Sequence, residues 1–286
     1  MNRAVKISVG SLSPTINWSS LQDQEFDLPP IDQQKRIAKS LRTMDDAVQG
    51  WTNCVAQFMK SFQAYSSAVT TTGLGKRESQ PSPIGTLPAG WQCLRIEEVV
   101  TSSAYGPRFS ASLYSSKGNV KMIRTTDFDR TGGINFSEVP SASLDDDTIS
   151  QHRLTTGDFL LSRSGEYAGL TAVYSDPNDG SAYIPGAFLI RYRFDECLKP
   201  EYLLALCCSE YGERFVKPLA TGSAQPNISG SAFGRLYIPI PPTREQVEII
   251  QMLSRFRAAG DEIQQQQVKI RNLASALLNC LILSEG

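Results

Sequence analysis

Three groups of residues in this chain carry side chains capable of chemistry. The first is Asp145-Asp146-Asp147, the only dense acid cluster. Converging carboxylates with a lysine would suit metal-dependent nuclease chemistry, but adjacent acids in a loop ordinarily form a solvated turn and only occasionally a weak cation site. The second is Ser162-Arg163-Ser164-Gly165, where a nucleophilic serine would need a base, and His152 is the only histidine. The reading preferred here is a tight turn after a buried strand. Six cysteines are scattered without a Cys-x-x-Cys pair and none lies near His152 in sequence, so reduced buried thiols are expected and no metal site. No Gly-x-Gly motif follows a strand, and Pro29-Pro30 and Pro241-Pro242 lack the asparagine of an Asn-Pro-Pro-aromatic motif. No catalytic residue is therefore expected.

The third group is polar and non-catalytic. Tyr105, Arg108, Lys121, Arg124, Thr125, Thr126 and Arg130 fall in one glycine-flanked stretch, Arg163 and Ser164 on the turn just named, and Gln225 and Asn227 on a Gly-Ser loop. Such side chains can meet base edges in a DNA groove or hold phosphates. The whole chain has a net charge of -1, which argues against indiscriminate nucleic-acid binding, so charge has to be read locally. Residues 101–135 hold five basic side chains against Asp127 and Asp129, whereas residues 136–180 hold eight acids against Arg153 and Arg163. One face is expected to be basic and another acidic.

An internal repeat organises the elements that must position these groups. Residues 10–41 match residues 222–253 without gaps at an offset of 212, with ten identities in thirty-two positions, among them Ile16/Ile228, Pro30/Pro242, Gln34/Gln246 and Leu41/Leu253. Each copy reads as a Gly-Ser turn, a short apolar strand, a double proline and a helix. After the first double proline, Leu41, Met44, Val48, Trp51, Val55, Phe58, Phe62, Tyr65 and Val69 alternate at spacings of three and four, a heptad seam. A helix over 32–69 would run on the order of 55 Å. Ile249, Leu253, Phe256, Ile263, Ile270, Leu273, Leu277 and Cys280 supply a second seam, weakened at Gly260 and Gln267. The first helix runs into the intervening region and the second runs out of it, so packed together they are antiparallel. Residues 70–87 read as an exposed connection.

Between the helices, short strand-like runs punctuated by glycine predict a mixed α/β domain in which strands predominate. With 41% hydrophobic residues the chain can bury a core, and no apolar run approaches the roughly 20 residues of a membrane span. No secretory stretch opens the sequence, and a cytoplasmic protein is expected.

Four landmarks, taken in order, resemble type I restriction-modification specificity subunits: Leu87-Pro88-Ala89-Gly90-Trp91; Gly157-Asp158-Phe159 through Ser164-Gly165; Gly222-Ser223-Ala224-Gln225-Pro226-Asn227-Ile228-Ser229; and Ile240-Pro241-Pro242-Thr243-Arg244-Glu245-Gln246 before a long helix. The resemblance covers essentially the whole chain. It implies an α+β architecture: the tail of a recognition domain (1–30), a first spacer helix (31–70), a linker (71–86), one mixed α/β target-recognition domain (87–242) and a second spacer helix (243–286), the helices forming an antiparallel coiled coil. It implies a non-catalytic subunit that reads double-stranded DNA and positions a modification (methyltransferase) subunit and a restriction subunit on a bipartite target. S-adenosylmethionine, ATP and Mg would belong to those partners. One reader is present where the family pattern has two, so self-pairing to a homodimer that reads an interrupted palindrome is expected. The competing reading is a coiled-coil protein-interaction adaptor.

Overall fold

A computed structural model describes residues 8, 15–25, 29–75, 77–129, 131–221 and 226–283, except for the side chains of residues 261 and 277–283. It divides into two compact units, residues 1–53 with 265–286, and residues 54–264. No helix among the described residues is long and apolar enough to cross a membrane.

A short helix α1 (Trp18–Gln22) is followed by α2 (Ile31–Thr72) in the first copy of the repeat, and α6 (Gly230–Gly234) by α7 (Thr243–Leu283) in the second. Both pairs sit at the offset of 212 found in the sequence. Each long helix begins one residue after its double proline, and in each the glutamine side chain reaches back to the first proline: Gln34 Nε2 donates to Pro29 O and Gln246 Nε2 to Pro241 O, both at 2.8 Å. The first proline's carbonyl lies outside the helix, and the glutamine amide gives it a donor while tying the entering chain to the first turn.

The long helices run antiparallel within each unit. In the larger unit Tyr65 stacks on Phe256 with ring centroids 4.9 Å apart, and Phe58 lies against Gly260, where an added Cβ would come within 2.8 Å of the ring. Gly260 is therefore not a defect in the seam but the hollow that admits Phe58. In the smaller unit Gln267 Nε2 donates to Thr52 Oγ1 at 3.0 Å, giving the polar seam position a partner. All nine seam residues of α2 from Leu41 to Val69 are half-buried or buried, as are Ile263 and Ile270. Leu273 departs from expectation: it is 60% exposed, and half-buried Ala274 takes the inward position. Alternation after Gln267 and Ile270 demands a step of four, so Leu273 is about 100° off the seam. The side chain of Leu277 lies outside the described residues.

The connection between α2 and the body is not a free tether. Strands β1 (Ser79–Ser82) and β2 (Gly85–Pro88) form a hairpin about Pro83-Ile84, where Gly85 takes φ +111°. Leu74 N, Arg77 Nη1 and Trp91 Nε1 all donate to the buried carboxylate of Glu245 in α7, at 3.2, 2.7 and 3.1 Å.

The body opens and closes on one antiparallel pair, β3 (Gln92–Arg95) with β11 (Tyr237–Ile240). Between them, after the single-turn helix α3 (Ile96–Val99), β4 (Val100–Tyr105), β7 (Phe159–Ser162), β8 (Thr171–Val173) and β10 (Leu189–Phe194) form an antiparallel sheet in the order β4-β10-β7-β8. A second sheet joins β5 (Val120–Ile123) to β6 (Ser141–Ala142) antiparallel and to β9 (Tyr183–Pro185) parallel. Two further helices are α4 (Asp146–His152) and α5 (Pro200–Cys207). Buried Phe159, Tyr192, Tyr202 and Phe233 occupy one core cluster with Ile249 and Leu253 of α7, which fastens the body to that helix.

Candidate nucleic-acid interface

Chain connectivity brings the ends of both sheets to one place. The parallel pair β5 and β9 finishes together, with Gly186 N bonded to Ile123 O at 2.8 Å. The chain then turns through Ala187 and Phe188 into β10, whose neighbours β4 and β7 end at Tyr105 and Ser162. Gly106 presses on this turn so closely that a Cβ would lie 2.1 Å from Gly186 O, so no larger residue fits. Segments from five parts of the chain thus surround Phe188, which is 55% exposed.

On one side of Phe188 stand Tyr105, Arg163, Ser164 and Asn227. Arg163 N donates to Phe188 O at 2.9 Å, its guanidinium lies 4.8 Å from the Tyr105 ring centroid, and its Nε donates to Asn227 Oδ1 at 3.3 Å. Ser164 bridges to Asn227, and Ile228 N donates to Arg163 O at 2.7 Å. Tyr105 Oη accepts from Gly230 N at 3.3 Å. A cation–π contact of this kind contributes about 0.5–1 kcal/mol, and among the described residues neither Nη group of Arg163 makes a hydrogen bond.

On the other side is a cavity of about 720 Å³ lined by Arg108, Arg124, Thr125 and Thr126, with Phe109, Tyr114 and Phe188 as aromatic walls. Arg108 is exposed and makes no ion pair among the described residues. Arg124 is spent differently. Its Nε and Nη2 reach Asp127 at 3.3 and 2.8 Å, Nη2 also donates to Glu138 O, and Asp127 Oδ2 accepts from Arg124 N at 2.7 Å. This fork caps a turn and leaves one nitrogen for anything else.

Lys121 is separated from the group. Strand alternation sends it to the face opposite Met122 and Arg124, where Nζ bonds Asp179 at 2.6 Å and Tyr183 Oη at 3.3 Å. These bonds raise the lysine pKa and, led by the Lys121 bond, hold the Asp179 carboxyl far below the usual range. Arg130 and Gln225 lie outside the described residues. Asp145 is the N-cap of α4, accepting from Thr148 N at 2.8 Å; that bond, followed by one from the Thr148 hydroxyl, lowers its pKa. No cluster of three or more potential metal ligands occurs among the described residues. The aromatic residues Phe109, Tyr114 and Phe188 were not singled out in sequence. No local signal marks them: Phe109, Tyr114 and Phe188 lie two to four residues from the nearest glycine and follow no common pattern.

Comparison with known proteins gives the family. Residues 88–271 match the model of the type I restriction modification DNA specificity domain, and the chain belongs to that family. It is 24% identical over 287 aligned positions to the type I restriction enzyme EcoKI specificity subunit of Escherichia coli K12, covering 94% of this chain and 60% of that one. It is 25% identical to the MjaVIII specificity subunit of Methanocaldococcus jannaschii, covering 92% and 64%. The chain thus spans about three fifths of the length of these curated relatives. The fold is shared with a chain from a structural study of assembly in the type I R-M system (TM-score 0.64, 21% identity, 98% of this chain and 67% of that). It is also shared with the HsdS subunit of Thermoanaerobacter tengcongensis (0.53, 21%, 98% and 65%).

Proposed function

We propose that residues 87–242 are a target-recognition domain that reads one half of a bipartite sequence in double-stranded DNA. The chain itself is non-catalytic and acts in the cytoplasm. Residues 31–70 and 243–286 are spacer helices that position a modification subunit, and a restriction subunit with it, on that target. S-adenosylmethionine, ATP and Mg are used by those partners. The observation that carries this reading is the convergence of Tyr105, Arg163, Ser164 and Asn227 from separate segments beside Arg108, within the stretch that matches the family. A guanidinium held over an aromatic ring, with no bond to its paired nitrogens among the described residues, suits bidentate contact to a guanine edge. Arg124, whose fork is committed to Asp127, is a turn-holding residue.

The test is selection from random duplex DNA with the modification subunit present, followed by binding of the enriched sequence and of random duplex. Arg163→Ala should weaken the enriched sequence by about 1–3 kcal/mol and leave random duplex nearly unchanged, with an unaltered thermal midpoint as control. Arg124→Ala should weaken both together. Failure to enrich any sequence would favour the protein-interaction adaptor instead.

A further inference from the structure

Phe188 is 55% exposed on a turn whose backbone is fixed. Leu189 N donates to Gly186 O at 2.9 Å and closes the turn, while Arg163 N donates to Phe188 O and Gly106 N to Leu189 O at 3.1 Å, tying it to the segments on either side. One exposed ring is ordinary on a protein surface. This one borders the cavity of about 720 Å³, where Phe109, Tyr114, Met122 and Leu189 continue the apolar surface inward. The ring is therefore the rim of an apolar hollow, carried on a constrained backbone.

The charges around the hollow narrow what can occupy it. No acidic side chain lines it, and its charged residues are Arg108 and Arg124. Arg163 stands beyond Phe188 with its guanidinium over Tyr105. An occupant that matches this surface is anionic around an isolated apolar group, and it is large, because the cavity has room for the edge of a base pair. The major groove of DNA has this combination. Its base edges present donors and acceptors between two rows of phosphates, and in unmodified DNA the apolar group among them is the C5-methyl of thymine, to which phenylalanine makes apolar contact.

We propose that Phe188 and the hollow behind it read the C5-methyl of one thymine in the half-site. This rests on the DNA-reading function proposed above and adds a contact of a different kind. Arginine meets acceptors on a base edge or holds phosphates, whereas a ring against a methyl group recognises by apolar contact. Cytosine carries a hydrogen where thymine carries the methyl, and in a pair of reversed orientation the methyl lies toward the other strand. The ring therefore distinguishes one orientation of one pair, and Phe188 is a specificity-determining residue that forms no hydrogen bond to its base.

The test starts from the duplex enriched by the full chain with the modification subunit present. Each thymine is replaced in turn by deoxyuridine, which removes the methyl and leaves pairing, charge and groove acceptors as they were. At one thymine the replacement should weaken binding about threefold to tenfold, the size expected when one apolar carbon is no longer withdrawn from water. Phe188→Ala should bind the thymine and uracil duplexes alike, and Phe188→Leu, which keeps an apolar side chain, should retain part of the preference for thymine. Phe188 is exposed, so both variants should keep the parent's thermal midpoint. An enriched sequence in which no thymine responds, or a response that persists in Phe188→Ala, overturns the methyl contact and leaves the DNA-reading proposal standing. Equal weakening of every duplex by Phe188→Ala, with no response to uracil in the parent, assigns the ring to a wedge between base steps and overturns it as well. Failure to enrich any sequence overturns both.

Discussion

Residues 16–41 and 228–253 begin from one pattern. Each holds a short helix, a double proline and a glutamine bonded back to that proline, yet Ile228 and Phe233 of one copy lie in a core while Ile16 and Leu21 of the other are exposed. Local sequence determines the shape of such a segment; what it contributes to stability depends on whether another element covers it. An apolar side chain removed from water stabilises by about 1.5–3 kcal/mol, and the same side chain left exposed contributes little. Paired substitutions at equivalent positions measure that difference directly.

The largest contrast is expected at Phe233 and Leu21. Phe233→Ala should lower stability by about 3–5 kcal/mol, whereas Leu21→Ala should cost no more than about 0.5 kcal/mol. Urea unfolding of the two variants gives both values, and a comparable loss at Leu21 would mean the first copy is covered after all. Next come the glutamines. Gln246→Ala leaves Lys199 N, Cys197 O and Pro241 O without their partner and should cost about 1–3 kcal/mol. Gln34→Ala removes one half-exposed bond and should fall within about 0.5 kcal/mol of the parent.

The smallest effect is a pH dependence confined to the body. His152 is the chain's sole histidine; burial, and then the neighbouring Arg191 charge, lower its pKa from the ordinary value. A depressed folded pKa means that the unfolded chain takes up the proton first. The histidine's penalty is therefore absent above the ordinary value near 6.5 and grows as pH falls from there toward the folded one. Urea midpoints at pH 7.5 and pH 5.5 should show a small acid loss that His152→Gln reduces. Residues 16–41 hold no histidine, so the loss should leave that copy untouched.

The features legible in the sequence were those with a period or a duplicate. The heptad run of α2, the double-proline helix starts and the repeat needed only counting, and the family landmarks pointed to the fold that the comparisons bear out. Leu273 was misplaced because its hydrophobicity outweighed the step of four that the spacing demanded. The hairpin at 79–88 was hidden by Pro81 and Pro83, which read as breakers but sit in a two-stranded turn where few backbone donors are required. Arg124 looked free because its partner, Asp127 three residues on, acts only once the chain turns. The aromatic walls around Phe188 depend on strand ends from two sheets meeting, and no local pattern announces such a meeting.

The antiparallel pair of β3 with β11 has a consequence of its own. Because the first and last strands of the body are neighbours, roughly 4.8 Å apart, the chain enters and leaves the segment between Ile96 and Leu236 at one two-stranded neck. A related segment put in its place would enter and leave at the same two strands, and would have to supply the contacts that Lys199, Tyr202 and Glu210 make with the long helices. Genetic exchange of that segment takes two crossovers, one in the codons of each neck strand, and leaves the sequence of both long helices as it was.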